Sequence, residues 1–357
     1  MPGINGLLAV FLLLTLTGTP AIADSSPRVT PFVGVDAERL VDENGRPVQL
    51  RGVNRAGAEY ACVQELGLFD GPVDDEAIAA MVSWEVNSVR LPLNEDCWLG
   101  SPALNETLSG AAYRTTVTEY ADRLAAAGLV VILDLHWTGR SDAVAREQQP
   151  MARRGRSTDF WTSVASEFRD RHWVVFDAFN EPHDISWECW RDGCEGYAGM
   201  QDLVDAIRSA GATQPIVLSG LEWGGDLRRW LEYRPNDPAE ALVAGVHLYD
   251  FKRCVSDSCW DDEIGSVAEE VPVVITEFGD SDCNGDFSAD LMSWADLSGV
   301  SYVAWAWNPW NCDGGPALIS SFDGTATRFG EVIRDRFRAR GLPVERPVLI
   351  PGGVIPV

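Results

Sequence analysis

Eight short apolar runs, separated by segments of helical periodicity, leave this chain few folds to choose from. They fall at 48–54 (VQLRGVN), 86–91 (VNSVRL), 129–136 (LVVILDLH), 173–180, 215–220 (PIVLSG), 242–249 (LVAGVHLY), 271–277 and 301–307 (SYVAWAW). Helical patterns lie between them: Tyr113 to Ala127 stops at Gly128, and Phe160, Val164 and Phe168 recur at i, i+4, i+8. Strands alternating with helices pair in parallel through right-handed crossovers, and eight such units close a (β/α)8 barrel. The expected fold is therefore α/β, a (β/α)8 TIM barrel. An open doubly wound sheet is the alternative, disfavoured because no run is followed by G-x-G-x-x-G or a phosphate loop and because polar residues gather at strand ends along the whole chain.

Ahead of the first unit, Arg39–Leu50 brackets Asn44-Gly45, a strong local signal for a short N-terminal β-hairpin. The apolar stretch Leu7–Leu16 and the Ala21-Ile22-Ala23 pattern read as a secretory signal over 1–23, although no Lys or Arg precedes the stretch. The stretch is too short to span a bilayer, and no later segment is long and apolar enough to do so. Residues 29–341 form one expected catalytic domain, followed by a Pro-rich extended tail over 342–357. No internal repeat or low-complexity linker marks a second domain.

A chain of 357 residues with 46% hydrophobic and 23% charged residues is globular, and its formal charge of −26 repels nucleic acid and anionic membranes. A monomer is expected. Lys252 is the only lysine, so nearly all positive charge is arginine; at this level that skew carries no mechanistic meaning. Eight cysteines in an exported chain imply disulfides. Proximity in sequence favours Cys189 with Cys194 and Cys254 with Cys259 as small loops, then Cys62 with Cys97 and Cys283 with Cys312 across successive loops. No C-x-x-C spacing suggests zinc, and no metal site is expected.

In a barrel, catalytic groups sit where strands end, so the residues closing each run are an inventory of the site. Arg90 closes the second run, Asp134-Leu135-His136-Trp137 the third and Asn180-Glu181-Pro182 the fourth. His247-Leu248-Tyr249 closes the sixth, Glu277-Phe278-Gly279 the seventh and Trp305-Ala306-Trp307-Asn308 the eighth. Glu181 and Glu277 each end an apolar run, where a charge needs a functional reason. Among 54 acidic residues any single one is more ordinarily an ion-pair partner or helix cap, so the setting decides. Two carboxylates with divergent environments are the apparatus of glycoside hydrolysis.

In this order, Arg, His, Asn-Glu, His-x-Tyr, Glu and Trp at successive strand ends resemble glycoside hydrolase family 5, from Arg51-Gly52-Val53-Asn54 to Trp305–Asn308. The resemblance implies Glu181 as acid/base, with a raised pKa, and Glu277 as nucleophile. It implies Asn180 on the sugar 2-hydroxyl, Arg90 and Tyr249 as partners of Glu277, His247 beside Glu181 and His136 on the floor. It makes Trp307 the aromatic platform at the cleavage point, with Trp305 second. Trp137, Trp223 and Trp98 follow strand ends and could line a cleft. Trp84, Trp161 and Trp294 read as packing, His172 as structural, and Asp134 as a satisfied interior group. The loop 139–157, with Gln148-Gln149-Pro150, is long enough to wall a groove. The implied function is a secreted retaining glycosidase needing no cofactor, an endo-β-1,4-glucanase before a β-mannanase, acting on a polysaccharide or oligosaccharide. A non-catalytic sugar-binding protein on the same scaffold and a metal-dependent barrel hydrolase are the rival classes.

Overall fold

A computed structural model describes residues 30–140 and 143–339. The described residues form ten strands: β1 (Gly34–Asp36), β2 (Arg39–Val41), β3 (Arg51–Asn54), β4 (Ser88–Asn94), β5 (Val130–Trp137), β6 (Val174–Asp177), β7 (Ile216–Ser219), β8 (Leu242–Tyr249), β9 (Val273–Gly279) and β10 (Ser301–Ala304). Strands β3 to β10 are all parallel neighbours in a closed ring, with β10 returning to β3, so the expected barrel is the observed one. The 1–23 signal and the 342–357 tail lie outside the described residues. The N-terminal hairpin is built one strand earlier than Asn44-Gly45 suggests. Strands β1 and β2 pair across Ala37-Glu38, and the Asn44-Gly45 turn is closed by a single Val41–Pro47 bridge. Helices cover Ala111–Ala126 and Arg156–Phe168, where the periodicity places them.

Alternation along the strands explains how the barrel holds both a dry floor and a polar mouth. On β5, Val131 and Leu133 face the helices, while Val130 and Ile132 face inward. The inward side chains meet Val175, Val217, Val243, Val274 and Val303, and the hairpin closes this apolar layer from below with Val33 and Leu40. One step further, the same inward face of β5 presents Asp134 and His136. Interior polarity thus rises toward the C-terminal ends of the strands, where the helices no longer cover them.

Two irregularities re-aim the strand ends. Val246 pairs with Ile275 but His247 pairs with Glu277, so Thr276 is an extra residue on β9. Strict alternation from inward Val274 would turn Glu277 toward the helices; the bulge brings it round to the cavity, level with His247. A matching slip on β5 sets Asn94 opposite Trp137.

All four disulfides pair as the sequence suggests, joining Cys62–Cys97, Cys189–Cys194, Cys254–Cys259 and Cys283–Cys312. The first closes 35 residues and the second only 5. Restricting the unfolded chain is worth about 4 kcal/mol for the former and about 2 kcal/mol for the latter on loop-entropy grounds. Replacing Cys62 and Cys97 together by Ser should therefore lower the unfolding temperature more than the same change at Cys189 and Cys194, as measured by calorimetry.

Candidate active site

Arg90 is the middle of the site. Its side chain is wholly buried, and each of its five N–H groups finds an acceptor. Nε donates to Asp177 Oδ2 at 2.8 Å; Nη1 donates to Asn54 Oδ1 at 3.0 Å and Glu277 Oε1 at 2.8 Å. Nη2 donates to Asn180 Oδ1 at 2.8 Å and lies 3.0 Å from Asp134 Oδ2. One side chain from β4 thus ties together β3, β5, β6, the segment after β6, and β9. Three carboxylates around one guanidinium are too many to remain charged in a dry interior. Burial, only partly offset by Arg90, pushes Asp177 up to about 8, and its Oδ1 has no hydrogen-bond partner. Burial thus favours the protonated form of Asp177 more strongly than Arg90 opposes it.

Glu277 is buried and held at both oxygens, by Arg90 at Oε1 and by the Tyr249 hydroxyl at Oε2, 2.7 Å away. Burial, with the nearby Glu277 charge, raises Tyr249 well above the usual phenol value, so it stays a donor. Across the cavity, Glu181 Oε1 lies 2.8 Å from His247 Nδ1 and accepts from Lys252 Nζ at 3.0 Å. Gln148 Nε2 donates to its Oε2 at 2.8 Å. Burial alone would raise the Glu181 pKa, but the His247 and Lys252 contacts outweigh it and hold the carboxyl well below its ordinary value. The direction is the opposite of the raised value expected from the sequence, because the His247 and Lys252 contacts outweigh burial. His247 is placed by a close approach: a Cβ on Gly224 would come within 2.9 Å of its ring, and Gly224 has φ +73°.

His136 Nδ1 lies 2.6 Å from Asp134 Oδ2. Burial opposes its charge, but Asp134 prevails and raises the pKa. Its ring lies nearly parallel to Trp305, at 10° and 5.6 Å between centroids. From Trp305 a row of half-buried rings runs through Trp310 and Tyr60 to Trp137, with centroids 6.3–6.5 Å apart. On loops across the ring, after β7 and β8, Trp223 and Phe251 are exposed at 43% and 67%. Trp223 stacks on His183 and Phe251 on Tyr249. Between these aromatic surfaces lies a cavity of about 800 Å³ with Glu181 and Glu277 in its wall.

One oxygen of each glutamate and one nitrogen of His247 all lie within 4.8 Å of one another, a spacing a cation could use. Both oxygens of both carboxylates are already engaged, with Arg90 and Lys252 among the donors, so an added cation would face two positive charges. The set fits a sugar carbon better than a metal.

A family profile for cellulase (glycosyl hydrolase family 5) matches residues 41–311. The chain belongs to glycosyl hydrolase family 5. It is thus a glycosidase that hydrolyses O-glycosyl bonds. Similar proteins include a mannan endo-1,4-beta-mannosidase from Salipaludibacillus agaradhaerens, 22% identical over 76% of this chain and 80% of the relative. Endoglucanase E-5 from Thermobifida fusca is 23% identical over 79% of this chain, which spans 58% of that relative's length. Among solved structures, the catalytic domain of the major endoglucanase from Xanthomonas campestris pv. campestris shares the fold with a TM-score of 0.68 and 19% identity, covering 86% of this chain and 99% of that one. A beta-glucanase from Saccharophagus degradans in complex with cellotetraose follows at 0.67 and 21%, covering 89% and 98%.

In this family 5 site the structure brings together Arg90, His136, Asn180, Glu181, His247, Tyr249, Glu277, Trp305 and Trp223, with Trp137 further along the aromatic row. Trp307 is the exception. It is fully buried, edge-on to Trp84 at 4.7 Å, and offers no face to a ligand. Consecutive inward positions explain the swap: Val303 and Trp305 share the barrel's inner face, and the chain then turns away. Trp98 is also buried, with Nε1 donating to Ser163, and lines no cleft. Sequence reasoning missed Lys252, Gln148, Asp177, Tyr60 and Trp310. Alternation from Val175 could have marked Asp177 as inward; nothing local marks Gln148. Trp307→Ala should cost about 3–5 kcal/mol of stability through its cavity. Trp305→Ala should leave unfolding nearly unchanged and raise KM, separable by denaturant melts and initial rates.

Proposed function

We propose that this protein is an exported retaining β-glycosidase, an endo-β-1,4-glucanase, in which Glu181 is the acid/base and Glu277 the nucleophile. The observation that carries this reading is the approach of one oxygen on each carboxyl group to within 4.8 Å. Inverting enzymes need about 6.5–9.5 Å to admit a water; a pair this close suits direct attack at about 5–5.5 Å. Export is supported by four disulfides, which persist in oxidising compartments. Among the described residues no helix is long and apolar enough to cross a membrane.

In the first displacement a Glu277 oxygen attacks C1 while Glu181 gives its proton to the departing glycosidic oxygen, which takes the electron pair of the broken bond. The product is a glycosyl ester on Glu277. In the second, Glu181 takes a proton from water, the water oxygen bonds to C1, and the ester electron pair returns to Glu277. Arg90 and Tyr249 keep Glu277 fixed through both steps. With Asn180 Oδ1 turned onto Arg90, its Nδ2 is the donor that would meet the sugar 2-hydroxyl as the oxocarbenium character develops. Trp305 is the platform beneath the ring being cleaved. No step draws on a cofactor or metal.

The cellotetraose bound by the Saccharophagus relative favours a gluco-configured oligosaccharide. The mannosidase relative keeps β-mannan as the second substrate, since preference at C2 is set by side chains around the sugar rather than by the carboxylate pair. Reducing-sugar release from carboxymethylcellulose, glucomannan and xylan should be strongest on the first. Glu181→Gln and Glu277→Gln should each lose at least about a thousandfold in kcat on the polysaccharide. A chelator should leave the wild-type rate unchanged. Full activity in either variant would overturn the assignment, and a wild type that binds polysaccharide without releasing sugar would point to a binding protein.

A further inference from the structure

The chain spends its single lysine on the acid/base. Lys252 Nζ lies 3.0 Å from Glu181 Oε1, also donates to the Trp223 carbonyl, and sits 5.5 Å from the centre of the Tyr249 ring. Its side chain is only 13% exposed. Glu181 Oε1 is shared between Lys252 and His247, and Gln148 occupies Oε2. Lys252 and Gln148 each donate to one Glu181 oxygen, an arrangement that favours the carboxylate, yet the first displacement requires a proton on it. A donor must therefore leave. His247 is on β8, wholly buried and packed against Gly224. Lys252 stands on a turn beyond β8, on a long flexible stem beside exposed Trp223 and Phe251, which line the same cavity as both glutamates.

We propose that Lys252 is a positioning residue that holds Glu181 as the carboxylate used in the water-activating half of the reaction and is displaced by the leaving-group sugar in the first half. This rests on the retaining mechanism given above. The other charged groups around Glu181 do not duplicate the role. Glu277 faces it from β9 and is neutralised by Arg90 on β4. His136 on β5 is turned to Asp134, and the His183 ring nitrogen meets the Glu181 backbone carbonyl at 2.8 Å, not its carboxylate. Arg228 and Arg253 reach the same cavity but are paired with Asp226 and Glu263, and Glu222 also lines it.

The test compares Lys252→Met and Lys252→Arg with wild type over a pH series, on two substrates. A polysaccharide has a poor leaving group, so kcat/KM needs protonated Glu181 and falls on the basic side as that proton is lost. A dinitrophenyl β-glycoside of the matching disaccharide leaves unaided, so kcat reports the second half and falls on the acidic side as Glu181 gains a proton. Removing the ammonium raises the Glu181 pKa, so in Lys252→Met both limbs should move to higher pH, by about one to three units. Lys252→Arg should stay close to wild type. Azide attacks the glycosyl-enzyme without a base and should restore the acid-side rate of Lys252→Met on the dinitrophenyl substrate. A uniformly lower rate with unmoved limbs, or Lys252→Arg behaving like Lys252→Met, would overturn the proposal. Full activity of Glu181→Gln would instead overturn the mechanism beneath it, so the two failures are told apart.

Discussion

A guanidinium buried in a barrel interior is tolerable only when every donor is met, and here Arg90 is met by acceptors from β3, β5, β6, the segment beyond β6, and β9. Removing one partner from such a cluster costs about 3–5 kcal/mol, because the remaining charge stays buried. The same contacts that satisfy the cation also fix the geometry of the site: they aim Glu277, orient the Asn180 amide and anchor the Asp134 that turns His136. Burial raises the Asp177 pKa, which eases the crowding of negative charge around Arg90. Stability of the polar layer and preorganisation of the site are therefore one arrangement.

The two glutamates are held in contrasting ways. Glu277 is clamped by a wholly buried arginine and a buried phenol, both on strands. Glu181 is met by one strand histidine and by two long side chains from loops, Gln148 and Lys252. A nucleophile needs one state and one direction; an acid/base must pass between two protonation states. In the proposed roles, strand-held donors suit Glu277 as nucleophile and longer loop side chains suit Glu181 as acid/base. The bulge at Thr276 turns Glu277 into the cavity that Glu181 reaches from the segment beyond β6.

The barrel was legible because parallel strands buried on both faces read as continuous apolar runs, and all eight coincide with β3 to β10. Strand-end residues were legible for the same reason, since Arg90, Glu181, His247 and Glu277 interrupt those runs. The disulfide pairing followed from locality. The N-terminal hairpin was legible as an element but not in its strands, because Ala37-Glu38 carries no strong turn signal while Asn44-Gly45 does. Trp305 and Trp307 have the same residue type on the same strand end, so only the backbone path distinguishes them. Lys252 and Gln148 act from loops, where side-chain reach depends on tertiary packing that no local pattern encodes.

The direct measurement of the account is the covalent intermediate. Incubation with 2,4-dinitrophenyl 2-deoxy-2-fluoro-β-cellobioside, followed by peptide mass spectrometry, should place one fluorosugar on the peptide carrying Glu277, and on that residue alone. A label on Glu181 or any other residue, from protein that still cleaves polysaccharide, would contradict it.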